Sequence, residues 1–326
     1  MGHGYGRPQS DAIDTRAHEA ELAGRCIRAQ SPEEGKCLRR RVHDGILVSP
    51  GRGLFARKDY WDSLPPSEQT LHVMRSISDL HGTWVFRQAA AGVAHGLEVP
   101  LTYPDELLST KRHERGGGLI IRRRDSMPTR TAIASGVCCT SLDRTLFDCL
   151  SELEFPRALA VADSYLRDQG LQVDSLREEL RRSFHGLRRG AESLERALGI
   201  ARWADPSSEN GGESYARAVM LSLGFAAPQL QVVIPDILDA DHAYRADFCW
   251  FGSDGGLILG ELDGLAKYYR TDMTSGRPIA EVMSRERLRE SRISLLGARV
   301  IRFSFRDVLD TDRFRLLLTR AGVPRR

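Results

Sequence analysis

The stretch that decides the fold of the C-terminal part of the chain runs from residue 245 to 269 and reads RADFCWFGSDGGLILGELDGLAKYY. Two β-type runs flank the Gly-rich segment 252–256, which can supply the positive φ of a tight reversal. The return strand therefore lies antiparallel beside the first, about 5 Å away. Glu261 and Asp263 are two residues apart on one face, and pairing in register brings them to the face of Asp247. The sequence predicts a hairpin that gathers three carboxylates.

Clustered carboxylates repel one another unless a cation joins them, and hard oxygen ligands suit Mg²⁺ or Mn²⁺. These ions usually take one or two carboxylates and leave water and substrate phosphate to fill the octahedron. We therefore expect Mg²⁺ or Mn²⁺ as cofactor. The residues leave a second interpretation open, in which the carboxylates decorate a surface hairpin and Asp263-Gly264 serves as a reversal signal.

The elements around the hairpin follow a definite order. A helix is predicted over 209–224 and a short β-type run over 229–235. After the hairpin come a charged amphipathic helix over 281–296 and a buried strand over 298–305. The predicted order is helix, three strands, helix, strand.

This order and its motifs resemble the PD-(D/E)XK nuclease superfamily, and within it the branch related to very-short-patch-repair endonucleases. The resemblance covers residues 206–326. It is carried by Gly-Glu213-Ser-x-x-Arg217, Asp247-Phe, Glu261-Leu-Asp-Gly-x-x-Lys-Tyr268, the Arg-rich helix and Gly297-Ala-Arg-Val-Ile-Arg302-Phe. It implies a restriction-endonuclease-like αβββαβ domain that hydrolyses phosphodiester bonds in DNA.

The resemblance also implies roles for single residues. The implied catalytic residues are Glu213, Asp247, Glu261 and Lys267, and the implied metal ligands are Asp247, Glu261 and Asp263. The usual lysine of the family stands two residues after the glutamate, where this chain has Asp263, so Lys267 is the nearest replacement. Lys267 or an arginine of 285–292 would stabilise the transition state, while the metal lowers the pKa of bound water.

Composition sets the class of the whole chain. Its 326 residues suffice for two to three domains, and 41% hydrophobic with 28% charged residues is typical of a soluble globular protein. No stretch approaches the roughly 20 apolar residues of a membrane span. The N-terminus MGHGYGRP has no secretory pattern, so we expect a cytoplasmic location. The six cysteines lack zinc spacing and are predicted to be core residues.

Basic residues cluster near the N-terminus although the net charge is only +3. The segment indicates a helix followed by a wing: a helix over 32–44, a turn at Gly45, a strand over 46–49, a Pro-Gly-Arg-Gly tip at 50–53 and a returning strand over 54–57. An earlier helical run over 14–29 completes a winged helix-turn-helix, whose second helix can enter the DNA major groove. The predicted DNA contacts are Lys36, Arg39, Arg40, Arg41 and Arg52. The alternative is a solvated charged helix.

Residues 25–57 resemble the N-terminal domain of AbiEi-type antitoxins. The pattern is Arg-x-x-Val42-x-x-Gly45-x-Leu47-Val, followed by Gly51-Arg-Gly-Leu54-Phe-Ala56. The resemblance implies autorepression through duplex DNA and no catalytic role. It makes a toxin or another defence-system protein a candidate partner, and a repressor on a palindrome would act as a homodimer. Similar winged domains also mediate protein contacts.

The middle of the chain is predicted to be mixed and mainly helical. Expected there are helices over 70–81 and 85–95, strands over 107–110 and 119–124 that pair across 116–118, and helices over 141–150, from 156, over 174–184 and over 191–203. The chain is thus predicted to be an α/β protein of three domains: a winged helix over 1–65, a connector over 66–205 and the nuclease-like domain over 206–326.

The function expected from these features is metal-dependent cleavage of DNA, in defence or in control of mobile elements, with no membrane partner. A different class remains open: a non-cutting transcriptional regulator or antitoxin-like repressor with a degenerate nuclease fold. The displaced lysine favours that alternative. An RNA-directed nuclease is a third interpretation, because phosphate chemistry does not distinguish the sugar.

Overall fold

A computed structural model of the chain describes residues 7–101, 107–110, 120–123, 130–184, 191–236, 243–263, 295 and 297–326. The chain divides into two compact units, Met1–Leu153 and Glu154–Arg326. Both combine helices with a sheet, so the protein is of mixed α/β class. None of the described helices is long and apolar enough to cross a membrane. The division into three domains stays a prediction; the border between the two units falls inside the predicted connector.

The first unit begins with helices and a small hairpin and continues into a five-stranded sheet. Its elements are α1 (Arg7–Leu22), α2 (Pro32–His43), β1 (Leu47–Gly51), β2 (Leu54–Arg57), α3 (Lys58–Ser63), α4 (Pro66–Ser78), β3 (Val85–Arg87), α5 (Gln88–Ala94), β4 (Leu107–Thr110), β5 (Ile120–Arg123), β6 (Thr131–Ala134), β7 (Val137–Thr140) and α6 (Leu142–Glu152).

The predicted helix and the hairpin after it are present as α2, β1 and β2. Ser31 caps α2 by accepting a hydrogen bond from the Glu34 amide, and Pro32 stands in the first turn, where its missing N–H has no intrahelical partner to lose. The two strands pair antiparallel with Leu47 opposite Arg57. Their shared core with α1 and α2 contains Ile13, Ala17, Ile27, Leu38, Leu47 and Phe55.

Two helix predictions in this unit were wrong in detail. The helix predicted over 14–29 is α1, which lies earlier and ends before Gly24, a residue whose φ of +62° does not continue a helix. The helix predicted over 85–95 is strand β3 followed by α5. Phe86 is completely buried and pairs with Cys139 of β7, so tertiary strand pairing outweighs the helical spacing.

The sheet of the first unit has the order β5-β4-β3-β7-β6. Strands β4 and β5 pair parallel, whereas the predicted pairing across 116–118 would be that of an antiparallel hairpin. The prediction was wrong because parallel strands need a crossover connection, which local sequence does not specify. The hairpin of β6 and β7 was not predicted; Gly136 takes a φ of +81° at its turn.

The second unit combines helices with a four-stranded sheet. Its elements are α7 (Phe155–Gln169), α8 (Val173–Phe184), α9 (Ala191–Ala201), α10 (Gly211–Ser222), β8 (Gln229–Pro235), β9 (Ala243–Phe251), β10 (Leu257–Asp263), β11 (Arg299–Ser304), α11 (Phe305–Leu309) and α12 (Thr311–Ala321).

The sheet of this unit has the order β11-β10-β9-β8, with β10 and β11 parallel and the other neighbours antiparallel. The predicted helix and three strands are present as α10, β8, β9 and β10, and the predicted last strand is β11. The helix predicted over 281–296 lies largely outside the described residues. Phe248, Phe303 and Phe314 pack in series, with ring centroids 5.8 and 4.9 Å apart, and join the sheet to α12.

A buried ion pair fixes α10 against α7. Both carboxylate oxygens of Asp163 accept from Arg217 Nη2, at 2.9 and 2.7 Å, and neither side chain is more than 5% exposed. Arg217 Nη1 also donates to the Trp203 carbonyl at 2.7 Å, and the Asp205 amide donates to Asp163 at 2.8 Å. Removing either charge would leave the other buried and unpaired. The position of α10 therefore depends on residues before 206.

The cysteines are free thiols. Four of them are buried and two are half-buried, as a core role predicts: Cys26, Cys139, Cys149 and Cys249 belong to the first group, and Cys37 and Cys138 to the second. Burial raises the pKa of Cys26 to about 12 and that of Cys139 to about 11, so both remain protonated thiols at neutral pH.

Candidate functional site

The predicted hairpin brings Asp247 and Glu261 to neighbouring positions. Strands β9 and β10 pair antiparallel with Gly260 opposite Phe248. Glu261 and Asp247 are the next residues of the two strands after this pair. The Leu262 amide donates to Asp247 Oδ2 at 2.9 Å, which ties this carboxylate to the return strand. The sheet therefore holds one side chain from each strand at the same level.

Glu213 reaches the same place from the first turn of α10. Asn210 caps the helix by accepting from the Glu213 amide at 3.0 Å. The Glu213 carboxylate in turn accepts from the Glu209 amide at 2.9 Å and from Gln231 Nε2 at 3.0 Å. Burial raises the pKa of Glu213 to about 7, and the charge of Asp247 adds to the increase, against the lowering effect of these hydrogen bonds. Glu213 and Asp247 therefore interact electrostatically.

The charge of Asp247 interacts with that of Glu213 on one side and with that of Glu261 on the other. Burial raises the pKa of Asp247, the Leu262 amide partly offsets this, and the charges of Glu261 and Glu209 raise it again. The repulsion is of the kind that a bound cation relieves. Asp247 links Glu213 of the helix to Glu261 of the return strand. We call Glu213, Asp247 and Glu261 the carboxylate cluster.

Two further side chains hold Glu261. Tyr244 of β9 donates its hydroxyl to Glu261 Oε1, and Arg302 Nε lies 2.9 Å from Glu261 Oε2. The parallel register of β10 and β11 places Glu261 opposite Arg302. Sequence reasoning gave neither Tyr244 nor Arg302 a role here. Arg302 belongs to the motif Gly297-Ala-Arg-Val-Ile-Arg302-Phe, but only the pairing of β10 with β11 shows that it contacts Glu261.

The structure describes some of the remaining predicted residues of this region and not others. Asp263 follows Glu261 on β10, is half-buried and pairs with Ser304 of β11. Lys267 and the arginines of 285–292 lie outside the described residues. Within the described ranges, no group of three or more His, Cys, Asp or Glu side chains is arranged so that it could hold a metal ion.

Gln231 of β8 is a third residue to which the sequence gave no role. Its φ is +52°, in the left-handed region, within a strand. Its Nε2 donates to Glu213, while its Oε1 is buried and has no hydrogen-bond partner among the residues that the structure describes. The Oε1 atom is thus an unsatisfied acceptor in the side chain that contacts Glu213.

The predicted DNA-contact residues lie on α2 and at the tip of the hairpin of β1 and β2. Lys36, Arg39 and Arg40 are exposed on the helix, and Arg52 is exposed at the tip. Arg41 differs, because its Nη1 lies 2.7 Å from Asp14 Oδ1 of α1 and its side chain is only 14% exposed. The hydrogen bond that Arg41 donates to Asp14 raises the pKa of Arg41. Arg41 therefore holds α2 against α1 through its ion pair with Asp14.

Comparison with known proteins gives relatives but no family. No family model matches the chain. It is similar to the uncharacterized protein Rv2248 of Mycobacterium tuberculosis strain H37Rv and to the uncharacterized protein MT2308 of strain CDC 1551. Each is 30% identical over 133 residues, which are 41% of this chain and 46% of the relative. The chain thus matches about half the length of these curated relatives. No solved structure matches it.

Proposed function

We propose that the chain is a metal-dependent DNA endonuclease, with a PD-(D/E)XK nuclease-like domain in its second unit and an N-terminal winged helix that binds duplex DNA. The observation that carries the proposal is the carboxylate cluster, because it joins acidic side chains from α10, β9 and β10 in one electrostatically coupled group. The order of α10, β8, β9, β10 and β11 supports it. So does the resemblance to the very-short-patch-repair-related branch.

The chain's residues suggest a division of roles. Asp247 and Glu261 would hold Mg²⁺ or Mn²⁺, with Asp263 completing the shell. When bound, the ion would lower the pKa of a water molecule attached to it and would neutralise negative charge on the scissile phosphate. Glu213, with a pKa of about 7, can accept the proton that the attacking water loses. The phosphorus–oxygen bond to the leaving strand then breaks as the bond to the water oxygen forms.

The developing negative charge needs a cation from the protein. Lys267 is the residue that the resemblance implies for this, although Asp263 stands in the usual position of the lysine. Arg302 is a second source, since its guanidinium already lies 2.9 Å from Glu261. A guanidinium is always protonated and can hold two phosphate oxygens at once. We assign the charge stabilisation to Arg302 together with Lys267.

The first experiment compares the wild type with Asp247→Ala/Glu261→Ala. Supercoiled, linear and single-stranded DNA and a matched RNA are incubated in Mg²⁺ and in Mn²⁺, and nicking is followed over time. The control is Asp174→Ala/Asp312→Ala, which removes two carboxylates whose side chains are 90% and 91% exposed. Cleavage by wild type and control alone supports the proposal, and cleavage that survives in the cluster variant contradicts it. Cleavage confined to RNA selects the RNA-directed nuclease.

A non-cutting repressor is the second candidate function. Asp263 in the place of the usual lysine favours it, as do the exposed basic residues on α2 and at the hairpin tip. This candidate predicts salt-dependent binding to DNA upstream of its own gene, as a homodimer if that site is a palindrome. A toxin or another defence-system protein would then be its partner. A cytoplasmic location suits both functions.

The repressor candidate is tested by the salt dependence of duplex binding. The test variant is Lys36→Ala/Arg39→Ala/Arg40→Ala/Arg52→Ala, and the control Arg177→Ala/Arg315→Ala removes basic charge from the second unit. Each phosphate contact that is lost should lower the slope of log affinity against log salt by about 1. An unchanged slope in the test variant would exclude α2 and the hairpin tip from DNA binding. Binding without cleavage would favour the repressor.

A further inference from the structure

The second unit contains a cavity of about 260 Å³ that shares no residue with the carboxylate cluster. It lies where the end of α9 and the residues after it meet the first residue of α7, the end of α10 and residue 326. Its walls include Phe155, Gly199, Arg202, Trp203, Leu221 and Arg326. Within the described part of the chain, no acidic side chain lines it. The proposed function gives no ligand to this basic and aromatic cavity.

Two arginines approach one aromatic ring in the cavity. The guanidinium carbon atoms of Arg202 and Arg326 lie 5.2 and 5.0 Å from the ring centroid of Trp203. Arg326 Nη2 donates to the Leu221 carbonyl at 2.5 Å, and neither arginine pairs with a carboxylate side chain of the described residues. The two positive charges lie within about 10 Å of each other, which is one Debye length at 0.1 M salt. An anion between them would relieve their repulsion.

The rest of the wall is aromatic and apolar. Phe155 and Trp203 are half-buried, and Leu221 is buried. The indole N–H of Trp203 has no acceptor among the residues that the structure describes, so it can donate to a ligand. Aromatic rings beside guanidinium groups suit planar ligands, because nucleic-acid bases stack on both. An inorganic anion by itself would leave this apolar wall unused.

Gly199 keeps the cavity open. A Cβ atom at this position would meet no atom within 4 Å. The glycine lies within α9 without a positive φ, where alanine would make the helix more stable. Its backbone therefore does not require a glycine, whereas a larger side chain would fill the space. The cavity is slightly smaller than the roughly 300–1,000 Å³ of most ligand pockets, so its ligand is small.

We propose that this cavity binds a nucleoside phosphate, with the phosphate between Arg202 and Arg326 and the base against Phe155, Trp203 and Leu221. A guanidinium can hold two phosphate oxygens at once, which suits two arginines without carboxylate partners. The inference goes beyond the proposed function and does not rest on it, because it requires neither a metal ion nor cleavage. The ligand is a free nucleotide or one nucleotide of a strand.

The test is isothermal titration calorimetry on the full chain in the presence of EDTA, with the four nucleoside 5′-monophosphates. We expect at least one of them to bind about tenfold or more tightly than its nucleoside or inorganic phosphate, because only the nucleotide reaches both parts of the wall. Arg202→Ala/Arg326→Ala should weaken binding about tenfold or more. The control Arg315→Ala/Arg320→Ala removes two exposed arginines of α12 and should equal the wild type.

A variant that fills the cavity separates loss of the site from loss of folding. Gly199→Leu places a side chain in open space, so the melting temperature should equal or exceed that of the wild type while nucleotide binding is lost. Ala191→Leu is the matched control, because Ala191 is exposed on the same helix and the charge is unchanged. Wild-type affinity in Gly199→Leu would overturn the inference, as would inorganic phosphate that binds as tightly as every nucleotide.

A second titration identifies the source of the nucleotide. A short single-stranded oligonucleotide of mixed sequence is titrated into the wild type and into Gly199→Leu. Binding of the strand that Gly199→Leu weakens assigns the cavity to a nucleotide within a strand. Binding of a free monophosphate, with equal strand affinity in both proteins, assigns it to a free nucleotide. A wild type that binds no monophosphate and a strand affinity that Gly199→Leu leaves unchanged would together overturn the inference.

Discussion

At the scale of the residue, Arg302 is the side chain whose role changes most once strand pairing is known. It lies opposite Glu261 in the parallel pair of β10 and β11, with Nε 2.9 Å from the carboxylate. If Glu261 helps to hold a cation as proposed, Arg302 would lie beside that site and could supply a positive charge to the substrate phosphate.

Arg302→Ala should separate binding from catalysis. We expect the cleavage rate to fall by about 10²-fold, since one preorganised positive group is lost. Mn²⁺ affinity should stay equal or rise, because Glu261 is released from its ion pair. Single-turnover cleavage and Mn²⁺ binding measure the two effects. Arg299→Ala is the control on the same strand, as Arg299 pairs with Asp254 at 3.1 Å. Wild-type cleavage by Arg302→Ala would exclude this role.

His72 should make the free energy of unfolding of the first unit depend on pH. Its side chain is only 3% exposed, its Nδ1 lies 2.7 Å from the Glu68 carbonyl and its Nε2 lies 2.9 Å from the Tyr60 hydroxyl. Nδ1 therefore carries the proton and Nε2 accepts from the tyrosine. Burial lowers the pKa of His72 below its usual 6.5, although the bond to the Glu68 carbonyl partly opposes this. The other charged groups near the ring are Glu68, Arg75 and Glu21.

The free energy of unfolding should therefore fall as the pH drops below about 6.5. In that range the unfolded chain binds a proton at His72 that the folded chain does not, at a cost of at most about 1.4 kcal/mol for each pH unit. Urea unfolding at pH 7.5 and 5.0, followed by tryptophan fluorescence, measures the change. His72→Gln should flatten the dependence, whereas His43→Gln should not, since His43 is 89% exposed. Equal pH dependence in all three proteins would refute the assignment.

At the scale of the element, the packing of α7 on α10 determines where Glu213 stands. The helix that carries Glu213 also carries Arg217, one turn further along, and Arg217 is fixed by Asp163 of α7. Helix spacing therefore links a structural ion pair to the acidic site. A small shift of α10 would move Glu213 away from Asp247.

Asp163→Ala should destabilise the second unit by about 3–5 kcal/mol, because it leaves the Arg217 charge buried without its partner. The double change Asp163→Leu/Arg217→Met should recover most of the loss, since well-packed apolar side chains often replace a buried ion pair without cost. Urea unfolding measures both. Asp174→Ala breaks an exposed pair with Arg177 and should leave the unfolding free energy unchanged. A mild effect of Asp163→Ala would show that the pair does not fix α10.

At the scale of the whole molecule, the N-terminal border of the second unit determines which fragment of the chain can fold by itself. The sequence predicted a nuclease-like domain that begins at 206, whereas the compact unit begins at Glu154. A fragment from 206 lacks α7, α8 and α9. It therefore lacks Asp163 and the Trp203 carbonyl, which together bind Arg217.

We expect the fragment 154–326 to fold on its own and the fragment 206–326 to fail. The first keeps the buried pair between α7 and α10, while the second exposes the apolar face of α10 and leaves Arg217 unpaired. Circular dichroism during heating distinguishes a cooperative transition from its absence. The full chain serves as the reference for the secondary structure of this unit. A cooperative transition in the shorter fragment would support the predicted border at 206.

Local sequence patterns were sufficient to predict several helices and strands. Period-two runs with a Gly-rich turn predicted the hairpin of β9 and β10, and helical spacing that ends at Gly224 predicted α10. Asp247 and Glu261 were predicted to be neighbours from the pairing of these two strands, whereas Glu213 was named only through the family resemblance. The basic helix α2 and the hairpin of β1 and β2 were likewise predicted from Pro32 and the Pro-Gly-Arg-Gly tip at 50–53.

Only the tertiary structure decided which side chains meet. Arg302, Tyr244 and Gln231 join the carboxylate cluster through strand pairing, and no local pattern fixes the register of strands that are far apart in sequence. Arg41 is drawn to Asp14 for the same reason, and Phe86 becomes part of a strand because distant strands bury it. Periodicity states which face a residue occupies. Packing between distant segments determines which residues contact that face.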